Sequence, residues 1–154
     1  MNKKIIVLIL FIFLLLSTII ISIFGKNPDP PIIRVEQVTF TPNNGDVYEY
    51  VDGVFIVTID ITDLSKEDDK YIVTYQMNTV VYPSDATNQV VNYSLYNSGD
   101  KEVLHIDPTG MVTLELTEKV SYDYIILAKS TDDALNVEAK MILRIKVKQV
   151  DKPW

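Results

Sequence analysis

From Ile32 onward the chain alternates apolar and polar residues with a period of two, and no apolar stripe of helical period appears. The clearest run is Ala139 to Lys148, where Ala139, Met141, Leu143, Ile145 and Val147 alternate with Lys140, Arg144, Lys146 and Lys148. Such a strand has one apolar face and one cationic face. Ile142 breaks the pattern. Phe55 to Thr62 repeats it, with Phe55, Val57, Ile59 and Ile61 set against Thr58, Asp60 and Thr62. In the run from Tyr71 to Tyr82 the inward set is Tyr71, Val73, Tyr75, Met77, Thr79 and Val81. Ile32 to Pro42 reads as a first strand with poor alternation. Turn signals separate these runs at Pro42–Asp46, Asp63–Lys70, Asn97–Lys101 and Ser130–Asn136. Short strands with turns about every ten residues predict an antiparallel sandwich or barrel.

The first residues follow another rule. Residues 5–24 carry no charge, no Pro and no Gly, and twenty residues of helix rise about 30 Å, the thickness of a bilayer's hydrocarbon. Lys3 and Lys4 precede the run, and Asp29 soon follows it. That asymmetry predicts an uncleaved transmembrane anchor over 5–25, residues 1–4 in the cytoplasm, and the C-terminal domain outside the cell. A cleaved signal peptide is the alternative, with a secreted domain as its product. The apolar run exceeds the usual 7–15 residues of such a core, and Ile23-Phe24-Gly25 is a poor cleavage site. Residues 26–31 form a Pro-rich stalk, 32–150 the folded domain and 151–154 a tail.

Charge narrows the partners. All 21 acidic residues but only 11 of the 14 basic ones lie from Asn27 onward, leaving the domain at about −10. A nucleic-acid partner needs a basic stripe, and none is present. The chain has no Cys, which excludes disulfides, thiolate chemistry and a lipidated cysteine.

The hairpin from Val103 to Leu116 turns on Asp107-Pro108-Thr109-Gly110, with Asp, Pro and Gly at the positions a type I turn favours. Leu104 and Ile106 then share a side with Val112 and Leu114. Together with the strand end at Pro83, the loop Asp85-Ala86-Thr87, Tyr93 in the next strand, and Ile126-x-Ala128, this order of motifs resembles the bacterial immunoglobulin-like domain, group 2. The resemblance is best over 71–147. It departs at Tyr93, where the family usually has Trp, and at Tyr122, where it usually has Gly. It implies an immunoglobulin-like antiparallel β-sandwich of the invasin and intimin surface style, and a part in cell adhesion or surface assembly. The polar stretch from Tyr82 would then be a crossing between two sheets.

Residues able to do chemistry are sparse. His105 is the single histidine, and its neighbours Leu104 and Ile106 point the other way, which turns it to solvent. Without a partner to orient it, it is no base or nucleophile. Carboxylates gather at Asp63, Glu67, Asp68 and Asp69 and at Asp132-Asp133, and calcium takes six to eight oxygens. The first loop lacks a calcium loop's glycine turn and holds two lysines, so both read as solvated turns. If a cation bound, Asp68, Asp69, Asp132 and Asp133 would be its ligands. Asn92-Tyr93-Ser94 fits a glycosylation acceptor but falls inside a predicted strand, and reads as coincidence.

No catalytic residue, cofactor or metal is therefore assigned, and the chain is not read as an enzyme. The expected function is non-covalent interaction with a surface protein or glycan. Its candidate residues are Tyr82 and Tyr96, outward-facing tyrosines, and Ile125 and Leu127, which make the outer face of their strand apolar. A passive spacer or structural subunit is the alternative.

Overall fold

The computed structural model describes residues 3–25, 29–96, 103–132 and 135–148, with side chains of 20–24 excepted. The chain divides into two units, Met1–Pro31 and Ile32–Trp154.

The first unit is one helix, α1 (Lys3–Phe24), of 22 residues. Ser17 and Thr18 donate their hydroxyls to the carbonyls of Leu14 and Leu15 at 2.8 Å, so neither leaves a hydroxyl unmet on the apolar surface. Over the described residues, whose side chains run as far as Ile19, no helix is long and apolar enough to cross a membrane.

The second unit is mostly β. Its strands are β1 (Gln37–Thr41), β2 (Val47–Val51), β3 (Val54–Asp60), β4 (Tyr71–Gln76), β5 (Asn78–Tyr82), β6 (Val91–Leu95), β7 (Leu104–Ile106), β8 (Met111–Leu116), β9 (Tyr122–Ser130) and β10 (Glu138–Lys146). They form a five-stranded sheet in the order β2-β3-β10-β9-β6, a three-stranded sheet β4-β8-β7, and the pair β1-β5. Inward residues of all three contribute to one buried cluster: Phe55, Val57, Ile126, Met141, Leu143 and Ile145 from the large sheet, Val73, Tyr75, Leu104, Val112 and Leu114 from the second, and Val38, Phe40 and Val81 from the pair. That arrangement is consistent with a β-sandwich. Each such aliphatic side chain contributes about 1.5–3 kcal/mol by leaving water, which is why the period-two pattern fixes which face turns inward.

The predicted inward sets of β3, β4, β5, β8 and β10 fall inside or at the margin of this core, except Tyr71, which is half-buried outside the cluster with the ammonium groups of Lys66 and Lys119 5.4 and 5.1 Å from its ring centre. The structure differs from expectation in four places. The first strand is short: only 37–41 forms a strand, paired with β5, while 32–36 lies outside it and is held by backbone bonds from the Glu36 N–H to the Tyr82 carbonyl and from the Thr87 N–H to the Ile33 carbonyl, and by the side chains of Thr87 and Asp132. The run from Tyr71 to Tyr82 is two strands. At Met77, buried and donating its N–H to the Gly110 carbonyl, the chain leaves β8 and joins β1, yet its alternation continues unbroken. β10 pairs with β3 in parallel, Met141 beside Phe55 through Lys146 beside Asp60, so the sheet is not wholly antiparallel. Alternation has the same period in both kinds of ladder, and the pattern cannot tell them apart.

The fourth difference is a hairpin that the expectation passed over. β2 and β3 are joined by Asp52-Gly53, with φ of 51° and 78°. Both angles are those of a type I′ turn, for which Asp-Gly is a favoured pair.

The Asp107–Gly110 turn is as expected. The Gly110 N–H donates to the Asp107 carbonyl at 3.0 Å, and the Asp107 carboxylate accepts from the Thr109 hydroxyl and from the N–H groups of Thr109 and Met111. Those donors hold the Asp107 carboxyl below the usual carboxylate range, the Thr109 hydroxyl contributing most. Gly110 has φ +84°, and a Cβ there would meet the Tyr93 ring at 3.1 Å. Tyr93 in turn shares a 2.8 Å hydrogen bond with the Thr79 hydroxyl across the two sheets. The polar stretch after Tyr82 does carry the chain from the β1-β5 pair to the five-stranded sheet. It is fixed to the N-terminal segment, because Thr87 donates its N–H to the Ile33 carbonyl and accepts the Ile33 N–H on its hydroxyl.

Candidate interaction face

The outer face of the five-stranded sheet follows from its register. One row runs Glu49, Ile56, Ile142, Ile125 across β2, β3, β10 and β9. Beside it stand Val51 opposite Val54 on β2 and β3, and Lys140, Leu127 and Ser94 in a row across β10, β9 and β6. On the other side of the isoleucine row lie Thr58, Arg144 and Asp123. The face therefore has an apolar stripe two rows deep, bordered by charge. Ile142, which broke the alternation in sequence, is its centre.

Long side chains partly cover the stripe. Arg144 reaches Glu49 at 3.1 Å in one direction and Asp123 at 3.0 Å in the other, and Ile56, which the register sets between Glu49 and Ile142, is buried although it faces outward. Hydrogen bonds from the guanidinium to Asp123, and then to Glu49, raise Arg144 above its ordinary value. Lys140 lies with its ammonium 5.7 Å from the ring centre of Tyr96. The Tyr96 N–H donates to the Ile125 carbonyl, which fixes the tyrosine at the border of the stripe.

Of the residues singled out in the sequence, Ile125, Leu127 and Tyr96 are thus brought onto one face. Ile125 and Leu127 are half-buried and Tyr96 is exposed. Tyr82 is exposed as well, but it stands on β5, opposite Gln37 in the separate pair. His105 is exposed on β7, opposite Thr113.

The carboxylates have other tasks. Asp132 is buried; it accepts from Arg34 at 2.7 Å and from the Val35 N–H at 3.0 Å, so it ties the N-terminal segment to the end of β9. Asp68 and Asp69 are exposed, with φ of 46° and 64°, in a tight turn closed by two backbone hydrogen bonds between Glu67 and Lys70. Asp133 lies outside the described residues, as do parts of the stalk, the 97–101 turn and the tail. Among the described residues, no group of three or more His, Cys, Asp or Glu side chains is placed to hold a metal ion.

Sequence reasoning missed a second exposed surface. Every residue of β2 is exposed, and its inward pair, Tyr48 and Tyr50, packs on Phe55 with ring centroids at 5.8 and 5.1 Å. The Tyr50 hydroxyl donates to the Phe40 carbonyl at 3.0 Å, bridging to β1. The Asp52-Gly53 pair was the signal that would have found this strand.

No known family model matches the chain, and no curated protein matches it.

Proposed function

We propose that this chain is a membrane-anchored, extracellular immunoglobulin-like module that works by non-covalent interaction, in cell adhesion or in a surface or envelope assembly. The observation that carries the reading is the outer face of the five-stranded sheet: an apolar stripe of Ile142, Ile125 and Leu127, bordered by Tyr96, Lys140 and the Glu49–Arg144–Asp123 bridge. A stripe of this kind with a polar rim has the composition of a recognition surface. The partner is a surface protein or glycan.

Further features support the reading. The uncharged run at 5–24 with Lys3 and Lys4 before it is the pattern of a signal anchor with its N-terminus in the cytoplasm. The inter-sheet crossing after Tyr82 and the Gly110 hairpin both fit the immunoglobulin-like scheme, as do the fully buried Ile126 and Ala128. Bacterial immunoglobulin-like domains of group 2 are the family it resembles.

The test uses the full chain in its own membrane. Protease added outside intact cells should remove the C-terminal domain, and the tagged chain should capture a surface component. Capture should fall at least tenfold with Leu127→Lys or Tyr96→Ala and persist with Tyr82→Ala. A domain shielded from external protease would refute the topology. Capture untouched by Leu127→Lys, or none at all, would leave a passive structural subunit.

A further inference from the structure

We propose that β2 is a receptor edge that binds an extended, basic peptide strand by adding it to the five-stranded sheet. This stands on the edge strand and does not require the outer face to bind anything.

β2 has β3 on one side and, among the described residues, no strand on the other. The two-residue loop makes Val51 and Val54 a hydrogen-bonded pair, and pairs alternate along an antiparallel ladder. Val47, Glu49 and Val51 therefore bond to β3, while Tyr48 and Tyr50 turn their N–H and C=O groups to the open side. Open edges are ordinarily blunted by lysine, proline or a bulge. Within Val47–Val51 there is no lysine and no proline, and the register to β3 is unbroken from Val47↔Thr58 to Val51↔Val54. The strand is instead made of β-favouring residues, with Val47 69%, Tyr48 49%, Tyr50 56% and Val51 46% exposed.

Charge selects the occupant. From Val35 to Ser65 the chain has no Lys or Arg but carries Glu36, Asp46, Glu49, Asp52, Asp60 and Asp63. Asp46 and Asp52 bracket β2, and Glu49 is at its middle. A second copy of β2 would bring both sets of carboxylates into one ladder, and like charges across a ladder are unfavourable. One Asp46 oxygen already accepts from Asn43 and Tyr75, and Glu49 is paired with Arg144, so a strand with apolar residues opposite Tyr48 and Tyr50 and a cation at each end meets the open backbone, Asp52 and the other Asp46 oxygen. Strand addition of this kind draws affinity from main-chain hydrogen bonds and selectivity from alternate side chains.

The experiment titrates the isotope-labelled full chain, in a non-ionic detergent, with the synthetic peptide Lys-Thr-Val-Thr-Val-Thr-Lys. Its seven residues span Asp46 to Asp52, and its symmetry makes strand direction immaterial. Expected are saturable binding, slowed amide exchange at Tyr48 and Tyr50, and affinity at least tenfold lower for Glu-Thr-Val-Thr-Val-Thr-Glu at low salt. Tyr48→Pro removes one open donor and should abolish binding. If that variant fails to fold, a peptide N-methylated at alternate residues removes the same hydrogen bonds from the other side. Equal binding of both peptides would overturn the proposal, as would unchanged exchange at Tyr48 and Tyr50. Protection of those amides by self-association without peptide would also overturn it, and would make a second copy the occupant. Capture lost with Leu127→Lys while peptide binding persists separates this edge from the outer face.

Discussion

Replacing Asp132 with alanine removes a side chain that ties the N-terminal segment to β9 through both its backbone and its charge. Asp132 is 7% exposed. One oxygen accepts the Val35 N–H at 3.0 Å, and Val35 is itself buried. The substitution leaves that donor without its acceptor in a place water does not reach, which costs about 1–3 kcal/mol. The other oxygen meets Arg34 at 2.7 Å, but the Arg34 side chain is 53% exposed. Water screens the pair and can rehydrate the guanidinium, so its loss adds about 0.5–1 kcal/mol and not the larger penalty of a stranded buried charge. The sum is about 1.5–4 kcal/mol, a fall in Tm of roughly 6–16 °C for a unit of this size. Asp132→Asn keeps an acceptor for Val35 and loses the charge, and should cost about 1 kcal/mol. Urea unfolding at neutral pH measures both, with amide exchange at Val35 as a local check. A loss below about 1 kcal/mol for Asp132→Ala would refute the reasoning. So would equal losses for the two variants, which would place the stability in the charge.

Three other predictions rest on turns and on titration. Gly110→Ala forces a side chain into φ +84° and against the Tyr93 ring, whereas Gly53→Ala meets φ +78° with open space around it. The first should cost about 2–3 kcal/mol and the second about 1 kcal/mol, read from urea midpoints, and equal costs would mean the ring simply moves aside. Asp107 has its folded pKa depressed, so its contribution is present above the unfolded value of about 3.9 and lost as pH falls through the folded one. The Tm gap between the native chain and Asp107→Ala should hold from pH 7 to 5 and close below about pH 4. Tyr75 is the reverse case, because burial and then its hydrogen bond to the Asp46 carboxylate raise its phenol well above the ordinary value. Native stability should therefore fall as pH rises past about 10, and the decline should be smaller in Tyr75→Phe.

The inward faces were legible because burial enforces a period of two that sequence displays directly. Met141, Leu143 and Ile145, or Val112 and Leu114, could be assigned to the core from their spacing alone. Partnership between strands was not legible. The same alternation runs through Met77 although the strand changes sheets there, and β10 alternates identically whether its neighbour is parallel or antiparallel. The Asp132–Arg34 clamp joins residues 98 apart, and a lone acid beside a turn gives no sign of such a partner. Of the candidate surface, Ile125, Leu127 and Tyr96 could be found as apolar or aromatic residues in outward phase. Ile142 was visible as a breach of the pattern, but its meaning came from register, which sets it between Ile56 and Ile125.

Register also explains why this domain can carry two surfaces of different character on one sheet. Strands β9 and β10 put Lys129, Lys140, Arg144 and Lys146 on the outer face, beside Asp123 and Glu138, so charge there is mixed, and Arg144 is paired with both Asp123 and Glu49. Binding on that face must displace or reuse ion pairs already made, such as Arg144 with Glu49, and its gain comes from covering Ile142, Ile125 and Leu127. The β2 edge lies in a stretch without a single cation, and what it offers is backbone. Salt should therefore weaken a strand added at β2 more than a partner docked on the outer face, because the carboxylates bracketing β2 lie where the sequence supplies no neighbouring cation. The two surfaces meet at Glu49, whose backbone belongs to the edge strand and whose carboxylate is paired with Arg144 of the outer face.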